Sequence, residues 1–149
     1  MAVDQRSAIE REIRVEARPE TVFEFFTDPE KMTRWMGREA EIDPRPGGAY
    51  RIDIVGHVAV GEYVEIDPPQ RVVFTWGWEG GGRLVGPGAT IVEVTFEPDA
   101  GGTIVRFVHR DLPEDQVAPH AHGWDHYLPR LAVAAGGGDP GPDNGPGGS

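Results

Sequence analysis

The chain of 149 residues is long enough for one domain with a sizeable core and too short to favour two. Its net charge of -11, from 14 Lys and Arg against 25 Asp and Glu, disfavours binding to nucleic acid and to anionic membrane surfaces. The absence of cysteine excludes disulfides and thiolate zinc sites, and no window approaches the roughly 18 apolar residues of a membrane span, so a soluble cytoplasmic protein is expected by default.

The N-terminal region predicts one strand followed by two short helices. Apolar residues between Ile9 and Val15 alternate with charged ones, which is the period of a half-buried strand. Pro19 and Pro29 each stand where a first helical position is expected, and Asp28 precedes the second as a cap. Gly37 is typical of the residue that ends such a helix.

From Glu39 to Arg110 the sequence has the period-two pattern of antiparallel strands, interrupted by turns such as "PRPGG" and "DPPQ". One face of the predicted sheet is almost wholly apolar. Its members are Tyr50, Ile52, Ile54, Val64, Ile66, Val72, Phe74, Trp76, Trp78, Val92, Val94, Phe96, Val105 and Phe107. Such a face needs a covering element.

The segment from about Pro113 to Ala135 is predicted to be that cover. At about 100° per residue, one arc of this helix is apolar. The arc contains Val117, Ala121, Trp124, Leu128, Leu131 and Ala135, with Tyr127 and His120 at its edge. The pattern therefore predicts an α+β fold in which a long C-terminal helix packs on one curved sheet.

Two segments lack this periodicity. Residues 136–149 are mostly Gly and Pro and offer no residue able to join a core, so they are predicted to form a disordered tail beyond a domain of residues 1–135. The stretch "GGGRLVGPG", Gly80 to Gly88, lacks the Gly-Lys-Ser/Thr ending and following helix of a phosphate loop. A mobile lid is the preferred interpretation.

Three of the five histidines lie in "HAHGWDH", between His120 and His126. Helical winding places His122 and His126 one turn apart on the solvent side, whereas His120 points elsewhere. Because a closed zinc site needs about four ligands, a solvated helix face is favoured over a metal site. No metal and no intrinsic cofactor are expected.

The order of these elements resembles the helix-grip fold of the START-like (SRPBCC) superfamily. Within it, the chain is similar to the bacterial branch resembling activators of the heat shock protein 90 ATPase. The stretches that carry the resemblance span about Ile9 to Ala135 and are "TDPEKMTRWMG", "PGGAYRI", "GEYVEIDPPQRVVFTW", "GGTIVRFVHRDLP" and "HGWDHYLPRL". The departures are Met36, where that branch often has a second aromatic residue, and Pro129, where it usually has a polar one.

The resemblance implies a cavity between helix and sheet, which relatives use for lipids, hormones or polyketide-like molecules. Strand alternation adds Glu62 and His109, which face the apolar side if no bulge intervenes. The predicted ligand-binding residues are Trp35, Tyr50, Ile52, Glu62, Trp76, Trp78, Phe96, Phe107, His109, His120, Trp124, Tyr127 and Leu128. Most of the tryptophans are expected chiefly to build the core, with Trp78 at the entrance.

Binding of a hydrophobic or amphipathic small molecule, without catalytic residues, is the preferred function. A cyclase or aromatase-like enzyme is the first alternative and would use Glu62 and His109 as acid and base. A chaperone-associated interaction module is the second, and it predicts an exposed apolar patch. The sequence leaves the oligomeric state open, a homodimer included.

Overall fold

The computed structural model describes residues 7–80 and 85–145, which form a seven-stranded antiparallel sheet and three α-helices. The elements are β1 Ser7–Val15, α1 Pro19–Glu24, α2 Pro29–Trp35, β2 Glu39–Ile42, β3 Ala49–Ile54, β4 His57–Asp67, β5 Arg71–Trp78, β6 Thr90–Asp99, β7 Gly102–Leu112, a 3-10 turn Glu114–Gln116 and α3 Val117–Ala135. The strand order is β1-β7-β6-β5-β4-β3-β2, so sequential strands are neighbours except where α1 and α2 separate β1 from β2.

The two short helices begin as predicted. Both start at a proline, and the Asp28 carboxylate accepts hydrogen bonds from the backbone N–H groups of Glu30 (2.9 Å) and Lys31 (3.2 Å). These bonds satisfy amides that have no partner inside the helix. Within the described residues, none of the helices has the length and apolar composition that crossing a membrane requires.

The long helix α3 covers the apolar face of the sheet, as predicted. Its buried residues are His120, Trp124, Tyr127, Leu128, Leu131, Ala134 and Ala135. At one end of the interface, Phe96 meets the rings of Phe23 and Phe26, each at 5.5 Å between centroids. At the other, Trp124 packs on Phe107 and Trp76. The core is thus a single aromatic and aliphatic layer between sheet and helix.

The face assignment is wrong in β4. Tyr63 is buried there, and its hydroxyl donates to the Phe26 carbonyl at 2.7 Å, whereas Val64 is 53% exposed and Glu62 is exposed. The pairing of β4 with β5 shifts register between Tyr63 and Glu65. Such a bulge adds one residue and reverses the parity, so residues before it face opposite to the simple alternation.

The segment after α3 folds back onto the domain. Asp143 is 4% exposed, and its carboxylate accepts hydrogen bonds from the Gly37 amide and the Tyr127 hydroxyl, both at 2.8 Å. The expectation that no residue of this segment joins the folded domain is therefore wrong at Asp143. Residues 146–149 lie outside the described residues, as do residues 81–84 of the glycine-rich stretch predicted to be a lid.

Candidate functional site

A cavity of about 440 Å³ lies where the N-terminal half of α3 meets the end of β5 and the β3–β4 turn. Its wall is mostly aromatic and aliphatic. The lining residues are Met36, Ile54, Val55, His57, Trp76, Trp78, Pro119, His120, His122, Gly123, Trp124, Tyr127, Asn144 and Gly145. Helix, sheet, turn and the segment after α3 all contribute to it.

One wall is held by an indole–imidazole pair. Trp78 Nε1 donates to His120 Nε2 at 3.1 Å, and His120 Nδ1 lies 2.8 Å from the Gln116 carbonyl oxygen. Because an indole nitrogen only donates and a carbonyl only accepts, His120 is neutral here and carries its proton on Nδ1. The entrance position predicted for Trp78 is thus part of the cavity wall, tied to α3.

His109 faces the core, as predicted, and is 0% exposed. Trp124 Nε1 donates to His109 Nδ1 at 3.0 Å, while His109 Nε2 lies 2.7 Å from the Thr90 hydroxyl, which donates to the Trp76 carbonyl at 2.8 Å. This order of donors makes His109 the neutral Nε2–H tautomer. Desolvation by burial, with a smaller effect of His120, lowers the pKa of His109 to about 3.

The predicted acid and base do not meet. Glu62 lies exposed on the other side of the sheet, and its inward orientation was predicted on the condition that β4 had no bulge. His109 lies behind Trp124, and both of its ring nitrogens are engaged. His109 is therefore a buried structural histidine behind the cavity wall.

The structure brings part of the predicted site together. The predicted residues that line the cavity are Trp76, Trp78, His120, Trp124 and Tyr127. Those that lie in the core instead are Trp35, Tyr50, Ile52, Phe96, Phe107, His109 and Leu128. In two of these core residues the polar group is used inside the fold. The Trp35 indole donates to the Phe25 carbonyl at 2.9 Å, and the Tyr50 hydroxyl donates to the Thr75 carbonyl at 2.6 Å.

Sequence reasoning missed the other lining residues, most of which come from turns and element ends. These are Met36, Ile54, Val55, His57, Pro119, His122, Gly123, Asn144 and Gly145. Gly123 left a readable signal, because it lies three residues after His120 and four before Tyr127 on one strip of α3. The lining residues outside α3 depend on how distant segments approach the helix, and local periodicity carries no information about that approach.

The side of the cavity formed by Tyr127 carries a buried carboxylate. The Tyr127 hydroxyl contacts both carboxylate oxygens of Asp143, at 2.8 and 3.0 Å, and burial, followed by this hydrogen bond, raises the pKa of Tyr127 well above its usual value. His126 Nε2 lies 3.8 Å from Asp143 Oδ1, with the imidazole 30% exposed. The solvent orientation predicted for His126 is thus only partly correct, whereas His122 is exposed at the cavity.

Weak zinc binding at most is expected. Both nitrogens of His120 are engaged, and no group of three potential ligands occurs in residues 7–80 and 85–145. A structural ion would add its binding energy to folding, so a chelator should leave the melting temperature unchanged. Metal analysis after dialysis against EDTA tests this, and one retained equivalent of zinc would contradict it.

A curved antiparallel sheet that grips one long helix, with an apolar cavity at their interface, defines a helix-grip domain. The family model described as "Activator of Hsp90 ATPase homolog 1-like protein" matches residues 16–136. The chain belongs to this family. Among curated proteins, none matches this sequence.

Solved structures share the same fold. The AHSA1-like protein RHE_CH02687 from Rhizobium etli is 40% identical, with 94% of this chain and 88% of that chain covered and a TM-score of 0.73. Protein CV1439 from Chromobacterium violaceum is 26% identical, with coverage of 87% and 96% and a TM-score of 0.76. The Aha1 dimer from Colwellia psychrerythraea is 22% identical, with coverage of 89% and 99% and a TM-score of 0.75, and at this identity the likeness shows the fold alone.

Proposed function

We propose that the protein binds an apolar or amphipathic small molecule in the cavity between α3 and the sheet. The observation that carries the proposal is the cavity itself, about 440 Å³ and walled mainly by aromatic and aliphatic side chains. Ligand sites in proteins typically have volumes of roughly 300 to 1,000 Å³ and predominantly apolar walls. The cavity is of the size that would take one small molecule.

The wall is suited to flat, weakly polar ligands. Trp76 and Trp78 meet edge to face at 5.6 Å between centroids, and Trp76 and Trp124 lie at 5.0 Å. Indole rings contribute a large apolar contact area at low conformational cost. Polar groups at the cavity also include the imidazoles of His57 and His122 and the side chain of Asn144, which would orient a ligand by hydrogen bonds.

Gly123 offers a direct test. It lines the cavity from within α3, and a Cβ built on it meets no atom within 4 Å. Gly123→Leu should therefore fill the cavity and, because glycine is a poor helix former, stabilise α3 by up to about 1 kcal/mol. The variant should lose binding while remaining folded.

The measurement uses N-phenylnaphthylamine, an uncharged probe that fluoresces in apolar sites. Wild type should show saturable probe fluorescence and a melting temperature that rises with probe concentration. Gly123→Leu should show neither, and Ala118→Leu, which adds apolar bulk at an exposed position of the same helix, should behave as wild type. Equal probe binding by wild type and Gly123→Leu would place the probe elsewhere and defeat the proposal.

The alternatives have less support. The cyclase-like alternative needs Glu62 and His109 together as acid and base, but Glu62 is exposed and does not line the cavity. An interaction module calls for an apolar patch, but the exposed large apolar side chains of the described residues are Val64 on β4 and Val133 on α3. A homodimer stays a prediction for this chain, tested by light scattering on the purified protein.

A further inference from the structure

The segment after α3 forms part of the cavity wall. Asn144 and Gly145 line the cavity, and Gly145 lies against Val55, since a Cβ built on it would be 3.6 Å from Val55 Cγ2. The family match ends at residue 136, so both wall residues lie outside the matched range.

One buried carboxylate anchors the segment. Asp143 accepts from the Gly37 amide at 2.8 Å, from the Tyr127 hydroxyl at 2.8 Å and from the Gly145 amide at 2.8 Å. The Gly37 side of this contact requires glycine, because its φ is +83° and a Cβ there would lie 2.6 Å from Ile52 Cγ2. The backbone at Gly37 thus presents its amide to Asp143.

Two arginines hold the backbone around the anchor. Arg130 donates to the carbonyls of Gly141 at 2.8 Å and Pro140 at 3.1 Å, and its Nε donates to the Trp35 carbonyl at 2.9 Å. Arg38 donates to the Asp143 carbonyl at 3.2 Å. Guanidinium groups from α3 and from the loop between α2 and β2 therefore hold the segment by its carbonyl oxygens.

These contacts are almost entirely polar. Residues 137–145 are Gly, Asp, Pro and Asn, so they bring no large apolar side chain into the core. Replacing these hydrogen bonds by hydrogen bonds to water has a small net cost in free energy, whereas exposing buried apolar area to water has a large one. The segment can therefore detach as a local event while helix and sheet stay packed.

We propose that residues 137–145 are a removable wall of the cavity, held shut by Asp143, and that their detachment controls ligand entry and exit. The control of ligand exchange rests on the proposed function, whereas detachment of the segment does not. Asp143→Ala removes the anchor. Asp139→Ala is the matched control, because among the described residues that carboxylate accepts from the Gly141 amide of the same segment.

Loss of the anchoring hydrogen bond is measured by amide hydrogen exchange at Gly37. In Asp143→Ala, exchange of this amide should accelerate by about tenfold or more, the factor that one charge-assisted hydrogen bond represents. The amide of Phe107, in the middle of β7, should keep its rate, and Asp139→Ala should match wild type at both positions. If Gly37 and Phe107 accelerated together, the anchor would be part of the global fold and the proposal would be overturned.

Ligand control is measured by stopped-flow mixing with N-phenylnaphthylamine. Asp143→Ala should raise both the association and the dissociation rate by about tenfold, with Asp139→Ala unchanged. Unchanged rates in Asp143→Ala would overturn the proposal that residues 137–145 are a removable wall. If wild type bound no probe, the proposed function would fail, and acrylamide quenching of tryptophan emission would test the removable wall instead. Stronger quenching in Asp143→Ala than in Asp139→Ala would support it, and equal quenching in these two variants would overturn it.

Discussion

Trp124→Ala is expected to lower the free energy of unfolding by roughly 3 to 5 kcal/mol, the range for removing a buried large aromatic side chain. Trp124 is 3% exposed, and its ring lies 4.5 Å from Phe107 and 5.0 Å from Trp76 between centroids. Its loss leaves an aromatic-sized gap between α3 and the sheet. Urea unfolding at pH 7 measures the change.

Two further variants separate packing from hydrogen bonding. Trp124→Phe keeps an aromatic ring between α3 and the sheet but removes the N–H group that donates to His109 Nδ1. Loss of this hydrogen bond is expected to lower the free energy of unfolding by about 1 to 3 kcal/mol, in addition to the effect of the smaller ring. Val133→Ala, at an exposed position of the same helix, should stay within about 0.5 kcal/mol of wild type. A Trp124→Ala loss below that of Val133→Ala would show that α3 is not gripped by the sheet.

The fold was readable from the sequence wherever one pattern decides the outcome. The alternation in β5, β6 and β7 gives the correct inward faces, because β5 and β6 are regular along their length and the irregularity of β7 lies beyond His109, near the end of the strand. In β4 the same rule fails at Glu62, since the extra residue of a bulge leaves no mark in hydrophobic alternation. A tyrosine at position 63 was the available sign that the parity changes.

The site was readable where the regular patterns of α3 and β5 supply it. Trp124, Tyr127 and His120 follow from helical spacing, which places them on one side of the helix. Asp143 could not be found this way. Its partner Gly37 lies 106 residues away, and the surrounding Gly and Pro carry no periodicity that could point to a contact. A carboxylate in such a segment gives a local turn signal but no information about what it reaches.

Acidification from pH 7 to pH 5 is expected to destabilise wild type by about 2 kcal/mol through His109 alone. Its pKa is lowered to about 3 in the folded protein by burial, against an ordinary value of 6.5. Between these two pKa values the unfolded chain binds a proton that the folded protein does not. The contribution of His109 to the free energy of unfolding is therefore fully present above pH 6.5 and falls by about 1.4 kcal/mol per pH unit below it.

His109→Gln isolates this contribution. A glutamine amide can accept from Trp124 and donate to Thr90 as the imidazole does, but it has no proton to gain, so the variant lacks this pH-dependent loss. We expect it to be less stable than wild type at pH 7 and the gap between the two unfolding free energies to narrow by about 2 kcal/mol at pH 5. Groups remote from His109 are unchanged by the substitution, so their contributions cancel from the difference. Parallel stability curves from pH 7 to pH 5 would mean that His109 takes up its proton equally in the folded and unfolded states, and the chain from Trp124 through His109 to Thr90 would then lose its fixed order of donors.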